Sequence, residues 1–257
     1  MYLIKLGGSV ITEKSSTATF RSNIMNDLAS QLSRLKKDFI LVHGAGSFGH
    51  VLAKKYNLNA GFSKEEQRYG FASTQRLVQT LNTHVLTSLQ NQNLPAISLP
   101  PHAVLSLHDH NLESIDMSLF KMYVKNNFIP VTYGDVALDT HLGFSICSGD
   151  LLMLLLAKEF QPEKVIFVID EDGVYTKNPK KHVDATLLQT IHKDEIDSLQ
   201  TSLDSHADVT KGMAGKLQTI KKITALHIDT ILVNGLVPDR LYHVLTNQST
   251  VQTIVKG

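Results

Sequence analysis

Two hydrophobic patterns alternate along the chain. Short runs rich in β-branched, aliphatic and aromatic residues recur at 2–6, 39–42, 96–99, 130–133, 165–169 and 230–233, each of strand length. Between them, 23–36, 67–90, 118–126, 151–158 and 213–226 place apolar residues at helical spacing. Strands alternating with helices predict an α/β fold, with a mostly parallel sheet covered by helices on both faces. No internal repeat, low-complexity tract or linker interrupts the pattern, so all 257 residues are expected to form a single domain.

On a sheet of this kind ligands bind beyond the carboxyl ends of the strands, so the chemistry is sought in the residues that follow each run. After the first comes Lys5-Leu6-Gly7-Gly8-Ser9, with Lys14 a few residues on. Paired glycines let backbone N–H groups approach a phosphate, and lysines supply compact positive charge. Taken alone, the same residues read equally well as a glycine turn with solvated lysines. After the second comes His43-Gly44-Ala45-Gly46-Ser47-Phe48-Gly49-His50. Its Gly44 to Gly49 stretch spells G-x-G-x-x-G between a strand and a helix, with Glu65 and Glu66 downstream. That is the case for a nicotinamide-binding oxidoreductase, but it leaves Lys5, Lys14 and the first glycine pair without a role. Gly134-Asp135 and Ser148-Gly149-Asp150 follow, the latter at a helix start where either Ser148 or Asp150 serves equally as an N-cap. Then come Asp170-Glu171-Asp172-Gly173-Val174-Tyr175 with Asn178-Pro179-Lys180, and finally Asp208-Val209-Thr210-Lys211-Gly212-Met213, leading into a helix that carries Lys216. A glycine-containing helix start with a lysine one turn in suits an anion. No G-x-x-x-x-G-K-[ST] P-loop occurs.

Composition narrows the classes. Apolar residues at 42% and charged residues at 19% suit a soluble globular protein. A net charge of +1 without a basic stripe argues against nucleic acid as the main partner. The longest apolar run, 151–157, is too short to cross a bilayer, so no membrane partner is expected. A single cysteine, Cys147, forms no internal disulfide, and with no signal peptide evident the cytoplasm is the expected compartment. Asn247-Gln248-Ser249 matches a glycosylation sequon that has no meaning without secretion. Twelve histidines show no zinc spacing, so no metal site is expected; His102, His108, His110 and His141 read as surface or loop residues.

The ordered set Lys-x-Gly-Gly-Ser, a second glycine-rich strand end, Ser-Gly-Asp, Asp-x-Asp-Gly-Val-Tyr and Asp-Val-Thr-x-Gly-Met resembles the amino-acid kinase superfamily from Lys5 to Asn234-Gly235. The resemblance implies a three-layer αβα sandwich around a central, mostly parallel sheet. It also implies acceptor binding by a part spanning about 1–160 and ATP binding by a part spanning about 161–257. His50 looks like the histidine that marks the isopentenyl phosphate kinases and the related fosfomycin kinases of that superfamily, and Arg68-Tyr69-Gly70-Phe71-Ala72-Ser73-Thr74-Gln75 and the run 131–150 also look like the former. Two departures stand out. Glu171 replaces a usual Val in Thr-Asp-Val-Asp-Gly, where Ile169 also replaces the Thr. Lys211 replaces the first Gly of Asp-Val-Thr-Gly-Gly, where a lysine is strained if the position needs a positive φ. Both bear on nucleotide affinity or preference.

What the resemblance implies for individual residues is as follows. Lys5, Lys14 and Lys216 stabilise the charge on the transferring phosphoryl group, and Asp150 orients lysines. His50 holds the acceptor phosphate together with Ala45, Gly46, Gly49 and Gly149. Phe71, Thr74, Val136 and Ile146 surround the end of a prenyl tail. Lys5, Gly7, Gly8, Ser9, Gly46, Asp170, Tyr175, Lys180, Gly212 and Lys216 hold ATP, which brings Mg²⁺ with it. A homodimer is the family's usual assembly. The alternatives are a kinase for another phosphate or phosphonate, such as fosfomycin, an amino-acid or uridylate kinase, and a non-catalytic nucleotide sensor, against which the retained lysines argue.

Overall fold

Strand β1 (Tyr2–Leu6) is buried along its whole length, and so are β2 (Phe39–His43) and β6 (Ile129–Tyr133). A strand buried on both faces must lie inside a sheet with cover on either side. The computed structural model, which describes residues 1–14, 16–197, 199 and 212–257, has that arrangement. The other strands are β3 (Ala96–Ser98), β4 (Leu105–His108), β5 (Asn111–Ile115), β7 (Asp135–Asp139), β8 (Gly143–Cys147), β9 (Lys164–Ile169), β10 (Val174–Tyr175), β11 (Leu187–Leu188), β12 (Thr190–His192), β13 (Thr230–Asn234) and β14 (Thr253–Lys256). Of the fourteen strands among the described residues, eight form the main sheet in the order β12-β14-β13-β9-β1-β2-β6-β3. Neighbours are parallel except β13 and β14.

Successive side chains along these strands feed two separate cores. Leu3, Ile40, Val42, Val165 and Phe167 pack with α7 (Gly149–Phe160) and the helix Gly212–Thr224. Ile4, Leu6, Leu41, Ile166 and Val168 pack with α2 (Ser22–Ser33), α4 (Glu66–Gln90) and the helix Arg240–Leu245. This is the three-layer αβα sandwich expected from the sequence, and both the earlier and later parts of the chain contribute strands to the one sheet. The strand runs expected from the sequence match β1, β2, β3, β6, β9 and β13 to within a residue at either end.

The hydrophobic pattern alone did not predict a second sheet, β5-β4-β7-β8. It stands beside the carboxyl ends of β6 and β2. Its β7–β8 hairpin pairs Asp135 with Cys147 and Val136 with Ile146, and β8 feeds directly into α7. Two further short helices matter for the site: α1 (Gly8–Ile11), directly after β1, and α3 (Gly46–Lys55), directly after β2. Among the described residues no helix is long and apolar enough to cross a membrane.

Candidate active site

The carboxyl ends of β1, β2, β6, β8 and β9 open onto one cleft of about 590 Å³. Its floor is two glycine segments in backbone-to-backbone contact. A Cβ on Gly8 would lie 2.5 Å from the Gly46 nitrogen, and one on Gly44 would lie 2.6 Å from the Gly8 nitrogen. No side chain fits between them. Gly46 has φ +51°, in the left-handed region that favours glycine. Thr12 ties the two segments together, its buried hydroxyl donating to the Gly8 carbonyl (2.7 Å) and accepting from the Ser47 N–H (3.0 Å).

Three charges meet over this floor. Lys5 lies two positions after Leu3 on β1 and so faces the α7 side, where Asp150 occupies the first turn. Lys5 Nζ is 3.0 Å from Asp150 Oδ1, and Lys216 Nζ is 3.4 Å from both oxygens of the same carboxylate. Both ammonium groups also sit over the Phe167 ring, at 5.7 and 5.5 Å from its centroid. Room for Lys5 comes from Gly149, whose Cβ would meet Lys5 Cε at 2.9 Å. Burial pushes the Lys5 ammonium down to about 8, with Asp150 opposing that shift and Lys216 adding to it. The two lysines pull the Asp150 carboxyl down to about 2 against its burial. Ser148, rather than Asp150, is the N-cap of α7, accepting from the Leu151 N–H at 3.1 Å. Asp150 is thereby left to the lysines.

Toward the mouth, Asp170 at the end of β9 accepts from Ser9 Oγ (2.7 Å) and from Lys14 Nζ (2.8 Å). Glu171 pairs with Lys180 at 2.6 Å. At the opposite end the lining is apolar: Val51, Ala53, Val78, Val136 and Ile146, with Thr74 among them. The Thr74 hydroxyl donates to the Gly70 carbonyl (2.8 Å) on its own helix, so this end is poor in free donors. His50 also lines the cleft, on α3 one turn after Gly46 and three residues before Ala53.

Most of the residues singled out in the sequence converge here. Lys5, Lys14, Lys216, Asp150, His50, Gly7, Gly8, Ser9, Ala45, Gly46, Gly49, Gly149, Thr74, Val136, Ile146, Asp170, Lys180 and Gly212 all line the cleft. Two stand back from it. Phe71 packs behind Val136 and Ile146 against the Phe144 ring, at 5.2 Å between centroids, and Tyr175 lies on the β10–β11 ribbon. The 208–211 part of the last motif, including the Lys211 departure, lies outside the described residues. One reading needs correction. His102 is no surface loop residue: it sits on the short helix α5 (Pro101–Val104), with its side chain 19% exposed and bonded to the fully buried Asp135. Thr12 and Ser47 also line the cleft without having been singled out. Nothing local in the sequence distinguishes Thr12 from any other polar residue at a helix end, because the partner that gives it a role, the Ser47 N–H, comes from the second glycine segment 35 residues away.

The profile of the amino acid kinase family matches residues 1–234. Over its full length the chain is 39% identical to an isopentenyl phosphate kinase of Methanothermobacter thermautotrophicus, spanning 99% of that protein. It is 30% identical to one of Thermoplasma acidophilum, with both chains covered completely. The chain belongs to the isopentenyl phosphate kinases of the amino acid kinase family. A solved isopentenyl phosphate kinase structure superposes on this member with a TM-score of 0.88 at 35% identity, covering 100% of both chains. The kinase fold expected from the ordered strand-end motifs is therefore the fold found, while the G-x-G-x-x-G at 44–49 belongs to a kinase and not to a nicotinamide site.

Proposed function

We infer that the protein transfers the γ-phosphoryl group of ATP to isopentenyl phosphate, giving isopentenyl diphosphate and ADP. The observation that carries this reading is one cleft lined together by a lysine–aspartate cluster, a group of apolar side chains and His50. An oxygen of the acceptor phosphate attacks the γ-phosphorus, and the bond from that phosphorus to the oxygen retained by ADP breaks. A phosphate monoester has its second pKa near about 6, so the nucleophile is already ionised at neutral pH and no proton has to be removed. Catalysis then reduces to aligning two polyanions and offsetting their repulsion.

The residues divide accordingly. Lys5 and Lys216, held by Asp150, face the transferring group, and Lys14 approaches from the mouth. Backbone N–H groups of Gly8 and Gly46 serve the same oxygens. His50 and the backbone of Ala45, Gly49 and Gly149 grip the acceptor phosphate, and Thr74, Val136 and Ile146, backed by Phe71, enclose the five-carbon tail. The nucleotide lies along Gly7, Ser9, Asp170, Tyr175, Lys180 and Gly212, and magnesium enters as part of the MgATP substrate. On this reading acceptor binding falls to the part up to about residue 160 and nucleotide binding chiefly to the rest, with Gly7 and Ser9 reaching the nucleotide from the end of the first strand. We further propose a cytoplasmic location and, as the family's usual assembly, a homodimer, whose mass light scattering would check.

The test measures ADP release with isopentenyl phosphate, dimethylallyl phosphate, geranyl phosphate, fosfomycin and UMP as acceptors, for the wild type and for His50→Ala. A charge-assisted hydrogen bond contributes about 1.5–3 kcal/mol, so His50→Ala is expected to lower isopentenyl phosphate kcat/KM about ten- to a hundredfold. ATP affinity by calorimetry should stay near wild type. Preferred turnover of fosfomycin or UMP would replace the acceptor, and a fully active His50→Ala would remove His50 from the site.

A further inference from the structure

Asp135 is the second buried carboxylate on the cleft wall, and the reaction as described gives it no role. Its surroundings are fully defined. The His102 Nδ1–H donates to Asp135 Oδ2 at 2.7 Å, and the Val136 N–H donates to Oδ1 at 2.8 Å. On its far side, His102 Nε2 meets the side-chain amide of Gln75, on α4, at 2.8 Å. Three elements, α4, α5 and β7, are joined through one imidazole.

What this chain holds in place is the turn between β6 and β7. Gly134 donates its N–H to the His43 carbonyl (2.9 Å), and a Cβ built on it would lie 3.2 Å from the Gly149 nitrogen and 3.6 Å from the Ala45 nitrogen. Gly134 therefore sits beside two of the backbone nitrogens assigned above to the acceptor phosphate, those of Ala45 and Gly149. Asp135 follows directly and pairs with Cys147 across the β7–β8 hairpin, two residues before Gly149. A shift at Asp135 would reach both nitrogens, one through the His43–Gly134 hydrogen bond and one through the hairpin. An anion cradle of this kind is sensitive to such shifts, because misplacing a donor by about 1 Å can cost about a hundredfold in rate.

We propose that His102 is a positioning residue for the acceptor: by clasping Asp135 it fixes the β6–β7 junction at Gly134 and so sets the spacing of the Ala45 and Gly149 N–H groups that grip the acceptor phosphate. The proposal rests on the acceptor site described above. His102 itself is absent from the cleft lining, so it acts through Asp135 rather than on substrate.

The experiment compares His102→Ala, His102→Asn and His102→Gln in the full chain. Asparagine places an N–H donor where Nδ1 stood, whereas glutamine reaches only the Nε2 position. The expected result is a rise of tenfold or more in the KM for isopentenyl phosphate in His102→Ala and His102→Gln. ATP KM should stay within twofold, and His102→Asn should recover to within threefold of wild type. A merely structural role would lower the melting temperature and leave both KM values alone, or raise both together, and either result overturns the proposal. If His102→Ala fails to fold, the Asn and Gln variants decide alone, and equal behaviour of the two overturns it. Should the wild type not turn over isopentenyl phosphate, the functional reading fails separately. Calorimetric binding of inorganic phosphate then ranks the same variants, with the order Asn above Gln supporting the clasp and no order refuting it.

Discussion

Replacing Asp150 by Asn tests the centre of the site most directly, because the change keeps the shape and removes the one anion between two buried ammonium groups. Removing one partner of a buried ion pair costs about 3–5 kcal/mol when the other charge is left in place. The protein has a cheaper response. The Lys5 pKa of about 8 means that releasing its proton at pH 7 costs about 1.4 kcal/mol, one pKa unit. With the carboxylate gone Lys5 is therefore expected to be neutral at pH 7, since that route costs less than holding two bare cations. The transferring phosphoryl group then loses one charged donor, about 1.5–3 kcal/mol, or roughly ten- to a hundredfold in kcat. The signature lies in the pH dependence. Wild-type kcat/KM should fall as pH rises through about 8, where Lys5 in the free enzyme loses its charge. In Asp150→Asn that alkaline limb should move acidward by at least one unit, so activity recovers on going from pH 7 to 6. The assay is ADP release from pH 5.5 to 9 at subsaturating ATP, with Lys5→Arg as a control whose guanidinium does not titrate in this range. An unmoved limb in Asp150→Asn, or an unchanged limb in Lys5→Arg, would refute the argument. Acid stability gives an independent reading. The Asp150 carboxyl is depressed in the folded state, so its stabilisation is complete above the unfolded value and is lost as pH falls from about 4 toward about 2. That step should be missing in the Asn variant.

Two further outcomes follow from the packing. Ile146 lines the apolar end of the cleft and Phe71 backs it against Phe144, so shrinking both to Ala should raise the geranyl-to-isopentenyl phosphate ratio of kcat/KM roughly tenfold, the equivalent of nearly two more buried methylenes. A ratio unchanged or lowered in steady-state assays would remove these residues from the tail site. Thr12→Val deletes both hydrogen bonds of the Thr12 hydroxyl, the one to the Gly8 carbonyl and the one from the Ser47 N–H that joins the two glycine segments, which is expected to cost about 2 kcal/mol and lower the melting temperature by about 4–8 °C. ATP KM should rise as well, and a calorimetric scan with no shift would show that the glycine contacts alone hold the floor.

Much of this protein is written locally. The central strands are short runs buried on both faces and the longer helices show an apolar stripe, so β1, β2, β6, β9, β13, the edge strand β3 and the helices α2, α4, α6 (Met117–Lys125), α7 and Gly212–Thr224 were legible from hydrophobic spacing, whereas α1, α3, α5 and Arg240–Leu245 were not. Because ligands on such a sheet lie at the strand ends, the ordered motifs there already named most of the cleft. The four-stranded second sheet was not legible. Its β5, Asn-Leu-Glu-Ser-Ile, is mostly exposed and its β7, Asp-Val-Ala-Leu-Asp, begins and ends on buried aspartates, so neither shows a clean period of two. Nor does the sequence say which charges meet. Lys216 and Lys5 share Asp150 only because the helix Gly212–Thr224, α7 and β1 pack on one side of the sheet. His102 looked like any loop histidine until α5 brought it to Asp135. Periodicity encodes which face of an element is buried. The partner of a buried charge comes from another part of the chain, so only the tertiary packing decides it.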